Sequence, residues 1–203
     1  MERIICIIMG YIFGLFQTAF IFGKVFKHMD IRTEGSGNSG TTNAFRVMGK
    51  KAGIAVFIGD FFKVILAFFI ARLLFGGLNF SMYAALGCVL GHTFPFYMGF
   101  KGGKGIACSL GLMLCISPVL AVVTYLIGFC VFKAKNYISL ASLTMAVVFP
   151  VLMAFCLLGG IMGFDIESVV IMFIISALAF YKHKENISRL LSGTENKFSV
   201  KKE

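Results

Sequence analysis

The chain has 203 residues, of which 59% are hydrophobic and only 14% are charged, whereas soluble domains carry about 25% charged residues. Together with a mean hydropathy of +0.91, this composition excludes a soluble globular domain, a disordered chain and a disulfide scaffold, and it favours a protein that crosses a membrane several times. The net charge of +10 would suggest nucleic acid in a soluble protein, but the basic residues lie between apolar runs, so membrane topology explains them and no nucleic-acid partner is expected.

Apolar runs and polar connectors alternate along the whole chain. The first run, residues 4–23, carries no charge and is long enough for one helix to cross a hydrocarbon core of about 30 Å. No cleavage signal follows this run, so we expect the helix to be retained. The further apolar runs cover residues 54–75, 80–98, 106–132, 137–160 and 166–181. The polar segments are a loop at 27–53, a turn at 76–79, a Gly/Lys loop at 99–105, a basic turn at 133–136 and a tail at 182–203.

Positive charge divides the connecting segments into two groups. The segments that hold 16 of the 19 lysines and arginines are 24–51, 99–105, 133–136 and 182–203. The turns that hold none are 76–79 and 161–166. Because basic loops stay on the cytoplasmic side of a membrane, we expect all four basic segments to be cytoplasmic.

The apolar stretch at 106–132 has both ends in the basic group, so it must cross the membrane an even number of times. Its natural break is Ser117-Pro118, because proline ends or kinks a helix. The sequence therefore predicts an all-α polytopic membrane protein with seven transmembrane helices, its N-terminus outside and its C-terminus cytoplasmic, in one domain over residues 1–203. One kinked helix over 106–132, which would leave six spans, is the alternative.

The cytoplasmic loop that begins at Gly35 has the composition of an anion site. Closely spaced glycines let backbone N–H groups converge on an anion, and the planar guanidinium of Arg46 suits a phosphate. The residues of this loop that we expect to contact a substrate are Gly35, Ser36, Gly37, Asn38, Gly40, Thr42, Asn43 and Arg46.

A second glycine-rich loop, FKGGKG, ends where an apolar helix begins. Free N–H groups, the helix dipole and the Lys104 ammonium favour a phosphate there, although the spacing is not that of a nucleotide-binding P-loop. His92, at the inner end of the preceding span, either contacts a ligand or has a capping or packing role. The expected contacts from the loop are Lys101, Gly102, Gly103, Lys104 and Gly105.

The basic tail carries a third pattern. His183, Asn186 and Arg189 recur at every third position, which places them on roughly one face of a helix. Glycine-rich loops alone are common turns, but three anion-binding patterns at one face of the membrane indicate a site. Inside a span, Asp60 and Lys63 are predicted to form a structural ion pair, although charges within a membrane are frequently functional.

These three segments resemble, in order, the motifs of the PlsY family, the bacterial acyl-phosphate:glycerol-3-phosphate acyltransferases. Residues 35–46 resemble GSGNxGxTNxxR, residues 91–105 resemble GHxFPxFxxFKGGKG, and residues 183–195 resemble HxxNIxRLxxGxE. The departures are mild: Ser39 and Thr41 replace apolar or small residues, and the aromatic spacing varies at Tyr97 and Met98. The resemblance covers nearly the whole chain.

The resemblance implies the reaction and its setting. An acyl chain passes from acyl phosphate to the 1-hydroxyl of glycerol 3-phosphate, which gives 1-acylglycerol 3-phosphate (lysophosphatidic acid) and phosphate, the first acylation of phospholipid synthesis. The expected partners are these two substrates and the lipid bilayer, with no cofactor. The expected location is the bacterial inner membrane, with the active site on its cytoplasmic side and an opening between helices toward lipid.

Roles for individual residues follow from this resemblance. Ser36, Arg46 and Lys104 are expected to bind and orient the phosphates, while backbone at Gly102, Gly103 and Gly105 approaches the donor phosphate. His183 and Asn186 are expected to orient the acceptor, with Arg189 on the same face. Glu195 is expected to hold the tail in place, against Arg189 or a loop lysine. Ser139 and Ser142 are further candidates for contacts with the acceptor phosphate.

Two points stay open on the sequence alone, and a third is an expected absence. The proton from the acceptor hydroxyl could pass to His183, to His92 or to a substrate phosphate. A small transporter of an anionic solute is the alternative function, but it would place its cations near the membrane midplane on broken spans. No cluster of histidines, cysteines and carboxylates could hold a metal on protein ligands alone, so no metal is expected.

Overall fold

The structure, a computed structural model, describes residues 1–201, so Lys202 and Glu203 of the basic tail lie outside the described residues. The described residues form ten α-helices and two 3-10 turns and contain no strand, which confirms the predicted all-α class. The helices are α1 (Glu2–Gly14), α2 (Thr18–Lys27), α3 (Thr41–Met48), α4 (Lys50–Phe75), α5 (Leu78–Thr93), α6 (Ile106–Ile116), α7 (Pro118–Lys135), α8 (Ile138–Leu158), α9 (Ile166–Lys182) and α10 (Lys184–Leu191).

Several of these helices have the length and apolar character that a membrane span requires. The segments that meet both criteria alone are Glu2–Lys27, α4, α7 and α8. Helices α9 and α10 meet them together but are bent by 61° relative to each other, and α6 is a shorter apolar helix of 11 residues. The chain is therefore a multi-pass membrane protein.

The apolar run at 4–23 forms two helices and not the single helix predicted. Helices α1 and α2 are separated by three residues, and polar side chains bind the carbonyl groups that the break frees. Gln17 Nε2 donates to Gly14 O at 3.1 Å, and Lys63 Nζ donates to Phe16 O at 2.8 Å. Since unpaired backbone groups are costly in a low-dielectric interior, these contacts stabilise a break that the apolar pattern of the run does not signal.

Small residues let α1 and α5 pack with their backbones in contact. A Cβ atom at Gly10 would lie 1.8 Å from Ala84 O, and one at Gly87 would lie 2.1 Å from Ile7 O. Contact through glycines is typical of helices packed within a membrane. The close packing of α1 against α5 holds the last turn of α5, which carries His92, beside the break between α1 and α2.

The predicted helix break at Ser117-Pro118 is present. Helix α6 ends at Ile116 and α7 begins at Pro118. Ser117 Oγ caps the new helix by accepting a hydrogen bond from Leu120 N at 3.3 Å, and proline suits the first helical position because its missing N–H would have no partner there.

The first turns of α1, α5 and α9 meet at one end of the bundle. There Glu167 accepts hydrogen bonds from Arg3 Nε at 2.7 Å, Tyr83 Oη at 2.6 Å and Asn79 Nδ2 at 3.2 Å. The glycine-rich loops and the tail lie at the opposite end, beyond the last turns of α5 and α9. The functional candidates therefore gather at one end of the helices.

Candidate active site

One cavity of about 470 Å³ collects residues from all three sequence motifs. The predicted site residues that line it are Ser36, Asn38, Gly40, Thr42, Asn43, Arg46, Asp60, His92, Lys104, Gly105, Ser139, Ser142, His183, Asn186, Arg189 and Glu195. The predicted site residues outside its lining are Gly35, Gly37, Lys63, Lys101, Gly102 and Gly103. Segments far apart in the sequence thus meet at one place.

Glu195 connects three elements at the edge of the cavity. Its Oε1 accepts from Asn186 Nδ2 at 2.6 Å and from Ser139 Oγ at 2.8 Å, and its Oε2 accepts from Arg189 Nε at 2.8 Å. Burial raises the pKa of this carboxyl, but the hydrogen bonds outweigh burial and the pKa is lowered overall. The ionised Glu195 therefore fixes the tail against α8 and α10.

Lys104 is the cation at the start of α6, and it is coupled to the same network. Its Nζ donates to Asn186 Oδ1, so the amide of Asn186 joins the lysine to Glu195. Burial, followed by repulsion from the Arg189 guanidinium, lowers the pKa of Lys104 to about 8. Cationic groups crowded in this way favour an anion between them, because an anion relieves their repulsion.

His183 follows the last residue of α9 and is buried, with 3% of its surface exposed. Its Nδ1 lies 2.7 Å from Ala179 O. A carbonyl only accepts, so Nδ1 carries the proton of the neutral ring and Nε2 keeps its lone pair. Burial and the nearby Lys104 lower the pKa of His183 to about 4, and the ring is therefore neutral near pH 7.

Asn43 orders the loop of the first motif. Its Oδ1 accepts from Ser36 N at 2.9 Å, while its Nδ2 donates to Ile31 O at 3.1 Å and to Glu34 O at 2.9 Å. Gly35 adopts φ +60, and a Cβ there would lie 2.4 Å from Asn43 Oδ1. Asn43 and Gly35 therefore shape the loop that places Ser36 at the cavity wall.

Helix α3 presents its first turn and one face to the cavity. Gly40 precedes the helix, and Thr42 and Arg46 lie four residues apart, which places them on the same face. Unpaired N–H groups at a helix start and a nearby guanidinium both favour anions. Lys104 and Arg189 line the same cavity, which therefore has a cationic half that suits phosphate groups.

The glycines of FKGGKG pack against His92. A Cβ at Gly102 would lie 2.0 Å from His92 O, and one at Gly103 would lie 2.1 Å from His92 Nε2. Gly103 N also donates to His92 O at 3.1 Å. Of the three glycines predicted to approach phosphate, only Gly105 has a positive φ, +79. Close contact with His92 therefore explains Gly102 and Gly103 without any substrate.

Replacing Gly103 with alanine should lower the free energy of unfolding by about 1–3 kcal/mol, the usual cost of overpacking. The new methyl group must displace the His92 ring. In a His92→Ala background the same Gly103→Ala change should cost much less, because the ring that the methyl group meets is absent. Denaturant titration of the four purified proteins in detergent measures the two costs. Equal losses with and without the ring would contradict this explanation.

The other half of the cavity is apolar, and the sequence patterns did not single it out. Its lining includes Phe57, Phe61, Leu110, Tyr125, Gly128, Phe129, Phe132 and Met145. Phe129 is also 58% exposed on the outer surface of the bundle. The cavity thus joins a cationic half to an apolar half that includes the exposed Phe129.

Cations and hydrogen-bond donors define the chemistry of this cavity. Among residues 1–201, no group of three or more histidine, cysteine or carboxylate side chains lies close enough to hold a metal ion. The arrangement can hold phosphate groups and bring an apolar chain beside them.

Comparison with known proteins gives concordant results. Residues 4–193 match the family model described as glycerol-3-phosphate acyltransferase. The chain is similar to a glycerol-3-phosphate acyltransferase of Aquifex aeolicus, with 38% identity over 98% of this chain and 100% of that one. It is also similar to one from Fusobacterium nucleatum, with 40% identity over 95% and 96% of the two chains.

Two solved structures have the same architecture. One is a crystal structure of PlsY (YgiH), an integral membrane glycerol 3-phosphate acyltransferase, in its glycerol 3-phosphate form, with 36% identity, a TM-score of 0.87 and coverage of 98% of this chain and 96% of that one. The other is the lysphosphatidic acid form of PlsY (YgiH), with 34% identity, a TM-score of 0.84 and the same coverage.

Proposed function

We propose, because the chain belongs to the PlsY family of glycerol-3-phosphate acyltransferases, that it transfers an acyl chain from acyl phosphate to the 1-hydroxyl of glycerol 3-phosphate. The products are 1-acylglycerol 3-phosphate and inorganic phosphate. The observation that carries the proposal is that one cavity has both a cationic half and an apolar half. A phosphate-bearing acyl donor and a phosphate-bearing acceptor together require both halves.

The reaction needs positioning and charge stabilisation more than activation. Acyl phosphate is a mixed anhydride with a good leaving group. The acceptor oxygen forms a bond to the acyl carbon while the bond from that carbon to the phosphate oxygen breaks. Fixed cations and donors can stabilise the negative charge that develops, and binding both substrates in one cavity removes the entropic cost of their encounter.

The cationic half binds the phosphate groups of both substrates. Ser36, Arg46 and Lys104 bind and orient them, with the N–H groups at the starts of α3 and α6. His183 and Asn186 orient the acceptor, and Asn186 is itself held between Lys104 and Glu195. The proton of the acceptor hydroxyl passes to His183, to His92 or to a phosphate oxygen of the substrate.

The donor test compares two activated acyl groups on the same protein. Purified protein in detergent receives labelled glycerol 3-phosphate and either acyl phosphate or the matching acyl-CoA. Lysophosphatidic acid should form with acyl phosphate, and formation with acyl-CoA alone would overturn the donor assignment. A transporter of an anionic solute would yield no product in detergent, where there are no compartments, so this assay also separates the alternative function.

The reaction should slow as the pH rises through about 8, because the pKa of Lys104 in the protein without substrate is lowered to about 8. Below this pH the ammonium attracts phosphate, and above it the neutral amine does not, while His183 stays neutral throughout. The measurement is kcat/KM for glycerol 3-phosphate between about pH 7 and 9.5. Lys104→Arg should remove this alkaline limb, since arginine stays charged; a limb that persists unchanged belongs to another group.

In the proposed topology the chain crosses the membrane seven times, with Glu2–Lys27 as the first span and α6 and α7 as separate spans. The N-terminus lies outside, and the cavity faces the cytoplasm of a bacterial inner membrane. The grouping of the basic segments with the cavity supports this orientation, because basic loops stay in the cytoplasm.

Reporter fusions test the orientation. A reporter at Met1 should read external, and one after Glu203 should read cytoplasmic, because an odd number of spans puts the termini on opposite sides. If both reporters read the same side, the number of spans is not seven. If the reporter at Met1 reads cytoplasmic and the one after Glu203 reads external, the cytoplasmic face is wrongly assigned.

A further inference from the structure

A buried ion pair on α4 lies at the cavity wall, where Asp60 is part of the lining and Lys63 is not. Lys63 and Asp60 have side chains that are 5% and 1% exposed, and Lys63 Nζ lies 2.8 Å from Asp60 Oδ1. Thr18 Oγ1 also donates to Asp60 Oδ1, at 3.0 Å. The proposed reaction steps use neither charge, although buried charges within a membrane are expensive to keep.

The Lys63 ammonium has three close partners for its three N–H bonds. They are Asp60 Oδ1, Phe16 O and His92 Nδ1, each at 2.8 Å from Nζ. An ammonium only donates, and the neighbouring carboxylate favours this charged form. His92 Nδ1 must therefore accept with its lone pair, and in the neutral ring the proton sits on Nε2.

The backbone of His92 is fixed as firmly as its ring. Its carbonyl oxygen accepts from Gln17 Nε2 at 3.0 Å and from Gly103 N at 3.1 Å, and the edge of its ring lies against Gly103. The ring therefore has one orientation in a cavity wall that also carries Lys104.

We propose that Lys63, held by Asp60, is a positioning residue that fixes His92 as a neutral hydrogen-bond donor, through Nε2–H, to a phosphate oxygen in the cavity. The identity of that phosphate rests on the proposed function. His92 and His183 then have opposite tautomers, because Ala179 O makes the Nδ1 of His183 the protonated nitrogen. His92 presents a proton and His183 presents a lone pair, which removes His92 from the candidates for the general base.

A purely structural role for the ion pair makes a different prediction. Lys63 also binds a carbonyl at the α1–α2 break, so its loss will cost stability in either case. Stability alone therefore cannot decide between the two roles. The tautomer of His92 can, because only the positioning role requires Nε2 to be the protonated nitrogen.

Nitrogen-15 NMR of histidine-labelled protein in detergent measures the tautomer directly. The chain has three histidines, and His28→Gln and His183→Gln assign the remaining signals to His92. We expect His92 to show a protonated Nε2 and an unprotonated Nδ1 and His183 to show the reverse. A protonated Nδ1 on His92, or a doubly protonated ring, would overturn the proposal without any variant of Lys63.

Ligand titration of the same sample tests the donor role. Glycerol 3-phosphate or inorganic phosphate should shift the His92 Nε2–H signal, and the more effective of the two identifies which phosphate it binds. If neither ligand moves the His92 signal while both shift the signals of His183, which also lines the cavity, His92 is not a phosphate donor. These results do not depend on turnover, so they are distinguishable from a failure of the proposed acyl transfer.

Kinetics of Lys63→Met complete the test. Loss of the group that orients a metal-bound histidine lowers activity about 10- to 100-fold. We expect a fall of similar size in kcat/KM here, together with a mixed tautomer at His92. The control is Arg3→Met, which removes an ion pair at the opposite end of the bundle and should leave both the tautomer and the kinetics unchanged. Normal kinetics and an unchanged tautomer in folded Lys63→Met would overturn the positioning role.

Discussion

Lys104→Met should lower kcat/KM for glycerol 3-phosphate about 100- to 1,000-fold, the usual effect of removing one fixed donor from a site of developing negative charge. Lys104 lies in the cavity wall at the start of α6 and donates to Asn186. Its ammonium is already crowded by Arg189, so it interacts most favourably when a phosphate occupies the space between them. Steady-state kinetics against both substrates measure the loss.

The matched control is Lys133→Met, in the last turn of α7. Lys133 is exposed and lies over the Phe129 ring, 5.9 Å from its centroid. Removing its charge should change the kinetics less than about twofold, as for most exposed charges outside a site. If Lys133→Met were as damaging as Lys104→Met, or if Lys104→Met were normal, the phosphate site would be assigned to the wrong loop.

Glu195→Gln should lower both stability and activity. Its carboxylate accepts three hydrogen bonds, and the substitution removes the charge opposite Arg189 while leaving one acceptor oxygen. We expect a loss of about 2–4 kcal/mol in the free energy of unfolding, since hydrogen bonds to charged groups are worth about 1.5–3 kcal/mol each. Activity should fall as well, because Asn186 loses the partner that holds it beside Lys104.

Glu167→Gln separates these two effects. Glu167 also accepts hydrogen bonds from three side chains, but it lies at the opposite end of the bundle. Its substitution should lower stability, by less than that of Glu195 because its side chain is 29% exposed, and should leave kcat and KM unchanged. Equal losses of activity in the two variants would mean that Glu195 acts on the fold alone and not on the site.

Much of the cationic half of the site could be predicted from the sequence. The motif residues are polar, glycine-rich and basic in a chain that is otherwise apolar, so their departure from the background marks them. The apolar half gave no such signal, because Phe57, Tyr125 and Met145 have the same character as lipid-facing residues of any span. Only the packing of the helices separates residues that line the cavity from residues that face lipid.

Three local features also depend on contacts between distant segments. The break between α1 and α2 is stabilised by Gln17 and by Lys63 from another helix, so the apolar run alone predicts a continuous helix. The glycines at 102 and 103 are packed against His92, a partner that a loop motif does not specify. Lys101 has the same charge as Lys104 but is exposed and does not line the cavity, because the loop turns between them.

The most direct test of the proposed acyl transfer is a paired measurement of ester formation and phosphate release. Purified protein in detergent receives acyl phosphate with and without glycerol 3-phosphate, and both 1-acylglycerol 3-phosphate and inorganic phosphate are measured over time. We expect one phosphate to be released for each ester formed, and release above the uncatalysed background only when glycerol 3-phosphate is present. Phosphate release that does not require glycerol 3-phosphate, or no ester at all from active preparations, would contradict it.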